Sequence, residues 1–210
     1  LKNFGIRSPI ITVKHHTSHA AGGYYTSGFD DATVVCIDAI GEFETLTIWH
    51  ADASGLTQLH KLNYPHSVGL WYSAMTQRLG LRPNQDEYIL MGMSAYADAK
   101  YLRNQIKYDF FTSTEYPIQL KRNLHKGCLD WRPEFKEEKY FDIAAGVQSV
   151  YEEVFENILK FAKQTGSSNN LVLAGGCALN CKANNIAHKY FKNIWIMPNP
   201  GDAGSALGCV

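Results

Sequence analysis

The stretch ATVVCIDAIGEFETLTIWH, residues 32–50, decides the fold. Ala32 to Ile37 is a continuous apolar run of strand length, the pattern of a strand buried on both faces. A turn at Gly41-Glu42 follows, and Thr45 to His50 then alternates Leu46 and Ile48 against Thr45 and Thr47, which is strand periodicity. Gly55 makes the next turn, and Leu56 to Leu62 alternates again. Three successive strands in a meander are predicted.

Working outward, Pro9 to Val13 is a short β-branched run that predicts a buried strand, and His15 to Tyr25 predicts a helix ended by Gly28. Beyond the meander, Val68 to Leu79 carries apolar residues at helical spacing up to Gly80, and Asp86 to Tyr96 reads as a second helix. Residues from about 100 to 139 mix charge and turn residues without a clear period, as an insertion of short elements would. From Ala144 to Ala162 the positions Val147, Tyr151, Val154, Phe155, Ile158 and Leu159 define one apolar face of a long helix closed by Gly166. Leu171 to Ala174 is a buried strand, Ala178 to His188 a helix, Ile194 to Met197 a strand, and Asp202 starts a last helix.

This order is that of a ribonuclease-H-like α/β lobe, a mixed sheet with helices on both faces. Two such lobes facing across a cleft make the actin-like ATPase (ASKHA) fold. Residues 1–28 are then expected to be the tail of a first lobe, with residues 29–210 forming a second lobe that carries the insertion at about 100–139. The start at Leu1 and the stop inside an apolar run at Val210 lead us to expect a segment of a longer protein.

Composition narrows the function classes. The chain has 210 residues, 45% hydrophobic and 19% charged, too apolar for a disordered segment. Lys+Arg and Asp+Glu are 20 each, so no global field would draw in nucleic acid or an anionic membrane surface. No apolar stretch approaches the ~18 residues of a membrane span, and the N-terminus lacks the regions of a signal peptide. Five cysteines without a Cys-x-x-Cys pair are expected to be reduced thiols. A cytoplasmic protein is the expectation.

The densest polar signal is His15-His16-Thr17-Ser18-His19. On a helix, His15 and His19 are four apart and share a face, close enough to hold one metal ion. The competing reading is a polar helix start in which His and Ser cap free backbone groups. Carboxylates stand at Asp38, at the end of a buried strand, and at Asp202, where the alternatives are a helix N-cap and a cation or anion site. Gly175-Gly176 follows another buried strand, with Asn180 nearby to offer donors and acceptors. Ligands of open α/β sheets lie outside the carboxyl ends of the strands, and these four segments all come near such an end.

The motifs His15-His16-x-Ser18-His19-Ala20-Ala21, Ile37-Asp38-x-x-Gly41-Glu42, Pro65-His66-Ser67-x-Gly69-Leu70-x-Tyr72, Glu87-Tyr88-x-x-Met91-Gly92, Leu173-Ala174-Gly175-Gly176-x-Ala178-Leu179-Asn180-Cys181 and Gly201-Asp202-Ala203-Gly204 resemble the nodulation-type carbamoyltransferases. That family's N-terminal domain is actin-like and similar to the tRNA threonylcarbamoyl-transfer enzymes. The resemblance implies an ATP-dependent O-carbamoyltransferase. An adenylate-forming domain of the same polypeptide would make carbamoyl adenylate from ATP and carbamoyl phosphate, and the carbamoyl group would pass to a hydroxyl of a small metabolite.

It further implies a divalent metal, iron or zinc, held by His15, Asp202 and one or both of His19 and Asp38. Gly41, Glu42, Gly175, Gly176, Asn180, Gly201 and Gly204 would line the nucleotide. His19 would be either a metal ligand or the base that takes the acceptor's proton, since a fully metal-bound imidazole cannot also accept one. Two positions depart from the family pattern: Ala39 replaces its glycine, and Ile89 its lysine. They motivate the alternative of a catalytically lapsed nucleotide-binding or scaffolding lobe. Threonylcarbamoyl transfer to tRNA is the weaker alternative, because the chain shows no basic stripe.

Overall fold

The computed structural model describes residues 9–210 together with Asn3 and Gly5. The chain enters through helix α1 (His15–Ser27), capped at its C-terminus by Gly28 in the left-handed conformation. The meander follows as β1 (Ala32–Gly41), β2 (Glu44–Asp52) and β3 (Gly55–Asn63), all antiparallel. Helices α2 (Val68–Arg78) and α3 (Glu87–Met93) come next. The insertion contains α4 (Arg103–Phe110) and a small ribbon, β4 (Phe111–Ser113) with β5 (Gln119–Leu120). After the 26-residue α5 (Tyr140–Thr165) come β6 (Asn170–Ala174), α6 (Cys181–Asn184), β7 (Asn193–Ile196) and α7 (Asp202–Ser205).

The main sheet has the order β3-β2-β1-β6-β7, and β1, β6 and β7 run parallel. Strand β1 is central because its side chains feed two cores. Val35 and Ile37 join Leu46, Ile48, Leu171 and Leu173 against α2 and α5, where Trp71, Met75, Ile158 and Leu159 are buried. Their neighbours Val34 and Cys36 point the other way, with Val172 and Ala174, onto Ala20 and Tyr24 of α1. A two-residue period on the strand therefore sorts one apolar run into two layers. Helix α5 buries Val147, Val150, Tyr151, Val154, Phe155, Ile158, Leu159 and Ala162 along one side.

The insertion is not loosely attached. Phe110, Ile118, Leu120, Leu124 and Trp131 belong to the same core as Trp71. The Arg78 guanidinium, buried at the end of α2, donates to the carbonyls of Trp131, Arg132 and Phe135 at 2.6, 2.7 and 2.8 Å. Glu153 of α5 accepts from Thr114 Oγ1 at 2.9 Å and pairs with Arg103 and Lys107.

Three segments differ from the sequence expectation. Pro9–Val13 forms no strand: no neighbouring strand pairs with it, and Ile10 and Ile11 are 64% and 86% exposed. The helix expected over Ala178–His188 is broken into a 3-10 turn (Gly176–Leu179), the short α6 and a second 3-10 turn (Asn185–Lys189). Side chains compete with the backbone there: Asn180 Oδ1 accepts from Ala183 N at 3.0 Å, and Asn184 Nδ2 donates to Ala178 O at 2.7 Å. The helix from Asp86 likewise ends at Met93, passing into a 3-10 turn as Ser94 Oγ bonds to Met91 O at 2.6 Å. Among the described residues, no helix is long and apolar enough to cross a membrane.

This layering predicts a contrast between two isoleucines. Ile158→Ala, in the buried face of α5, is expected to cost about 2–5 kcal/mol in denaturant unfolding. Ile10→Ala, in the exposed lead-in, is expected to stay within about 0.5 kcal/mol of the parent.

Candidate metal centre and adjoining cavity

Because β1, β6 and β7 are parallel, their carboxyl ends share one edge of the sheet. Asp38 stands at the end of β1's pairing with β6, Gly175-Gly176 follows β6, and Asp202 opens the helix after β7. Helix α1 starts at the same edge, which brings His15 and His19 to the two carboxylates.

The geometry there is close. His15 Nε2 lies 3.0 Å from Asp38 Oδ2, 3.0 Å from His19 Nε2 and 3.2 Å from Asp202 Oδ1. His19 Nε2 lies 3.3 Å from Asp38 Oδ2 and from Asp202 Oδ1. One donor atom from each of the four residues falls within 4.8 Å of the others. Neighbouring ligand atoms about 2.0–2.1 Å from a central zinc lie about 3.3 Å apart, and the separations of the two imidazole nitrogens from each other and from the two carboxylates are of that size. Two imidazole nitrogens facing each other at 3.0 Å and two carboxylates make a set that could hold a divalent transition metal.

Each ligand has its own support. Asp38 Oδ1 accepts from the backbone N–H of Ala39 at 2.8 Å and of Gly176 at 3.4 Å, leaving Oδ2 for the histidines. Burial alone would raise the Asp38 carboxyl, but hydrogen bonds from His15, His19 and Ala39 outweigh it and hold the group well below the usual carboxylate range. The bond to Asp38 raises His15 despite partial burial. Ser18 Oγ donates to His15 O at 2.7 Å, so the serine serves the helix backbone while the histidines face the site. Ser67, the N-cap of α2, accepts from Leu70 N at 3.0 Å and donates to Ala39 O at 2.6 Å, docking α2 onto the strand end that carries Asp38.

Beside the cluster lies a cavity of about 470 Å³. Asp38 and Asp202 form one end; Ser73, Asn84, Glu87 and Tyr88 form another part of the wall, with Tyr72, Tyr151 and Asn180 among the remaining lining residues. The sequence-selected residues Gly176, Asn180 and Gly201 line it. Gly41, Glu42, Gly175 and Gly204 do not. Gly41 instead packs against the histidines, where an added Cβ would sit 2.3 Å from His15 Cδ2. Gly204 packs on the Asn199 carbonyl, and Gly175, at φ +84°, on the Ile37 carbonyl. Glu42 is the exposed positive-φ corner of the β1–β2 turn.

Several residues in the wall and behind it escaped sequence reasoning as site residues. Gln148, fully buried in α5 and not itself in the lining, exchanges amide bonds with the lining residue Asn180 at 3.0 Å each way and accepts from Tyr72 OH at 2.7 Å. Ser73 Oγ and Asn84 N both donate to Glu87 Oε1 at 2.6 Å, which fixes that carboxylate at the wall. Tyr72 and Glu87 belong to quoted motifs, and that was their only signal. None of the lining residues is basic.

The sequence profile of the carbamoyltransferase N-terminus family matches residues 2–210. The chain belongs to that family. It is 29% identical to nodulation protein NolNO of Sinorhizobium fredii over 96% of this chain and 31% of that protein. It is 28% identical to NolO of Bradyrhizobium diazoefficiens over 93% of this chain and 37% of that one. An uncharacterized protein of Synechocystis sp. is 36% identical over 95% of this chain and 36% of its own length. The chain thus spans about a third of the length of these curated relatives. Among solved structures, full-length HypF in its phosphate- and nucleotide-bound form aligns with a TM-score of 0.54 at 14% identity, over 98% of this chain and 43% of that one. At that identity the likeness is one of fold: an α/β architecture with a mixed sheet.

The four-donor set predicts that the protein takes up one equivalent of Zn²⁺ or Fe²⁺ in titration calorimetry. His15→Ala and Asp38→Ala should each weaken that binding by roughly 100-fold or more, since each removes one of only four ligands.

Proposed function

We propose that this chain is an actin-like portion of an ATP-dependent O-carbamoyltransferase. The observation that carries the proposal is the convergence of His15, His19, Asp38 and Asp202, drawn from three distant segments, at the end of a cavity large enough for a small-molecule group. The sheet order β3-β2-β1-β6-β7, antiparallel then parallel, supports assigning residues 29–210 to one ribonuclease-H-like lobe. Residues 1–28 would be the tail of the preceding lobe, with α1 standing between the two. The share of NolO and NolNO that the chain covers supports a longer polypeptide, in which a separate domain makes carbamoyl adenylate from ATP and carbamoyl phosphate. The phosphate- and nucleotide-bound form of HypF supports nucleotide binding beside Gly176, Asn180 and Gly201.

The chemistry is acyl transfer. The acceptor's hydroxyl oxygen forms a bond to the carbamoyl carbon, the bond from that carbon to the adenylate phosphate oxygen breaks, and AMP leaves with the electron pair. A divalent metal, zinc or iron, held by the four residues would supply Lewis-acid polarisation of the carbamoyl oxygen. The hydroxyl proton needs a base. The sequence leaves His19 as either that base or a metal ligand, and its side chain, 1% exposed with Nε2 facing the other three donor atoms, favours the ligand. We assign His19 to the ligand set and the base to Asp202, whose side chain is 76% exposed and whose Oδ1 alone faces the histidines. Its Oδ2 is then the atom that receives the proton. With no basic side chain in the cavity wall, the charge of a phosphate would be met by the metal and by backbone N–H groups.

The full-length protein, loaded with metal and given ATP, carbamoyl phosphate and a panel of hydroxylated metabolites, is expected to release pyrophosphate and form a carbamate ester. Asp202→Asn should keep metal within about tenfold while lowering ester formation by roughly 100-fold or more. Metal-loaded protein that forms no ester with any acceptor would contradict the proposal and favour a lapsed nucleotide-binding lobe.

A further inference from the structure

The third histidine of the cluster plays no part in the ligand set, and its surroundings are unusual. His16 is completely buried. Its Nδ1 lies 2.9 Å from Thr47 Oγ1 on β2, and the same hydroxyl accepts from Trp49 Nε1 at 2.8 Å. An indole N–H can only donate, so Thr47 Oγ1 accepts from Trp49, and the hydrogen bond between that hydroxyl and His16 Nδ1 ties the ring to β2 whichever of the two supplies the proton. Burial pushes the His16 pKa down to about 4, so the ring is neutral. Among the described residues, its Nε2 is buried and has no hydrogen-bond partner.

An unpartnered buried polar atom weakens a fold, and an aliphatic side chain would fill the same place without that cost. The ring therefore serves something other than packing. The first turn of α1 shows what. Its N-cap, Lys14, makes no side-chain capping bond. The turn is tied to the sheet by His16, through Nδ1 to Thr47, through its carbonyl to Cys36 Sγ at 3.9 Å, and through its ring edge against Gly41, where a Cβ would lie 2.8 Å from Cδ2.

Successive helical residues are about 100° apart, so a side chain at 16 pulled into β2 sets the angle at which 15 and 19 project. A helix with side chains is about 10–12 Å across, so a 20° roll of α1 would move a side-chain tip by roughly 2 Å, a full metal–ligand bond length.

We propose that His16 is a positioning residue for the metal centre: hydrogen-bonded to the Thr47–Trp49 pair and pressed on Gly41, it fixes the roll of α1 that aims His15 and His19 at Asp38 and Asp202. The proposal rests on the reading of those four residues as metal ligands. It concerns the hydrogen bond between the ring and Thr47 and does not depend on the ring's titration.

The test compares the parent protein with His16→Leu, which keeps bulk but makes no hydrogen bond, and with His16→Asn, whose amide can bond to Thr47 as acceptor or as donor. Co²⁺ binding is followed by its visible absorption and by calorimetry, and apo stability by thermal unfolding. His16→Leu is expected to weaken Co²⁺ binding by about 10–100-fold and to shift the visible absorption band, with little change in the apo melting temperature. His16→Asn is expected to recover most of the affinity and the parent band. Thr47→Val, isosteric and on a different element, should reproduce the leucine effect if His16→Leu fails to fold. Unchanged affinity and spectrum in both His16→Leu and Thr47→Val would overturn the inference while leaving the four-ligand site standing. An affinity loss that follows the apo melting temperature, with no rescue by asparagine, would overturn it in favour of general destabilisation. A parent protein that binds no Co²⁺ would overturn the site reading and this inference together.

Discussion

The structure turns on the carboxylate of Asp38. It is mostly buried, and it stays ionised only because the N–H groups of Ala39 and Gly176 meet one oxygen and the imidazoles of His15 and His19 meet the other. Everything needed for that arrangement comes from the sheet. Parallel pairing of β1 with β6 sets Gly176 beside the end of β1, and the second core under Val34 and Cys36 holds α1 against it. Helix α2 buttresses the same spot through Ser67 and through Gly69, where any Cβ would run into the Asp38 carbonyl. A buried charge that is paired this fully can be kept; with one partner removed it would cost several kcal/mol, so the strand end and the two helices are bound to each other by the same group.

The elements legible in the sequence are those whose burial imposes a period. Ala32 to Ile37 had to be a strand covered on both sides, and α5 announced itself by eight buried positions on one face. The rest depended on partners that a local pattern does not contain. Pro9–Val13 has the residues of a strand but no neighbouring strand to pair with. Ala178–His188 has the apolar spacing of a helix, yet Asn180 and Asn184 offer the backbone nearby side-chain partners and split it. The insertion reads in the sequence only as short elements without a period, and the long-range ties that knit it into the main core, such as those of Arg78, leave no local pattern.

The candidate site divides in the same way. His15 and His19 could be paired from helical spacing alone, and Asp38 and Asp202 were singled out as carboxylates at element ends; the fold brings one donor atom from each within 4.8 Å of the rest. The cavity wall and its support were less visible. Behind the wall, Gln148 meets Asn180 across 32 residues and Tyr72 across 76, and no spacing rule connects them. Gly41 and Gly175 attract notice as ligand-facing glycines, but here each makes room for the protein itself, one for the histidine rings and the other for the Ile37 carbonyl. Glycine at a strand end signals close approach and leaves open what approaches.

If His15, His19, Asp38 and Asp202 together hold one divalent metal, X-ray absorption spectroscopy at the edge of the bound metal will show it in the metal-loaded protein. The expected spectrum is that of one metal per chain in a shell of nitrogen and oxygen only, at about 2.0–2.2 Å, with the outer-shell scattering of two imidazoles. A shell containing sulfur, or one lacking the imidazole scattering, would rule out this four-residue site.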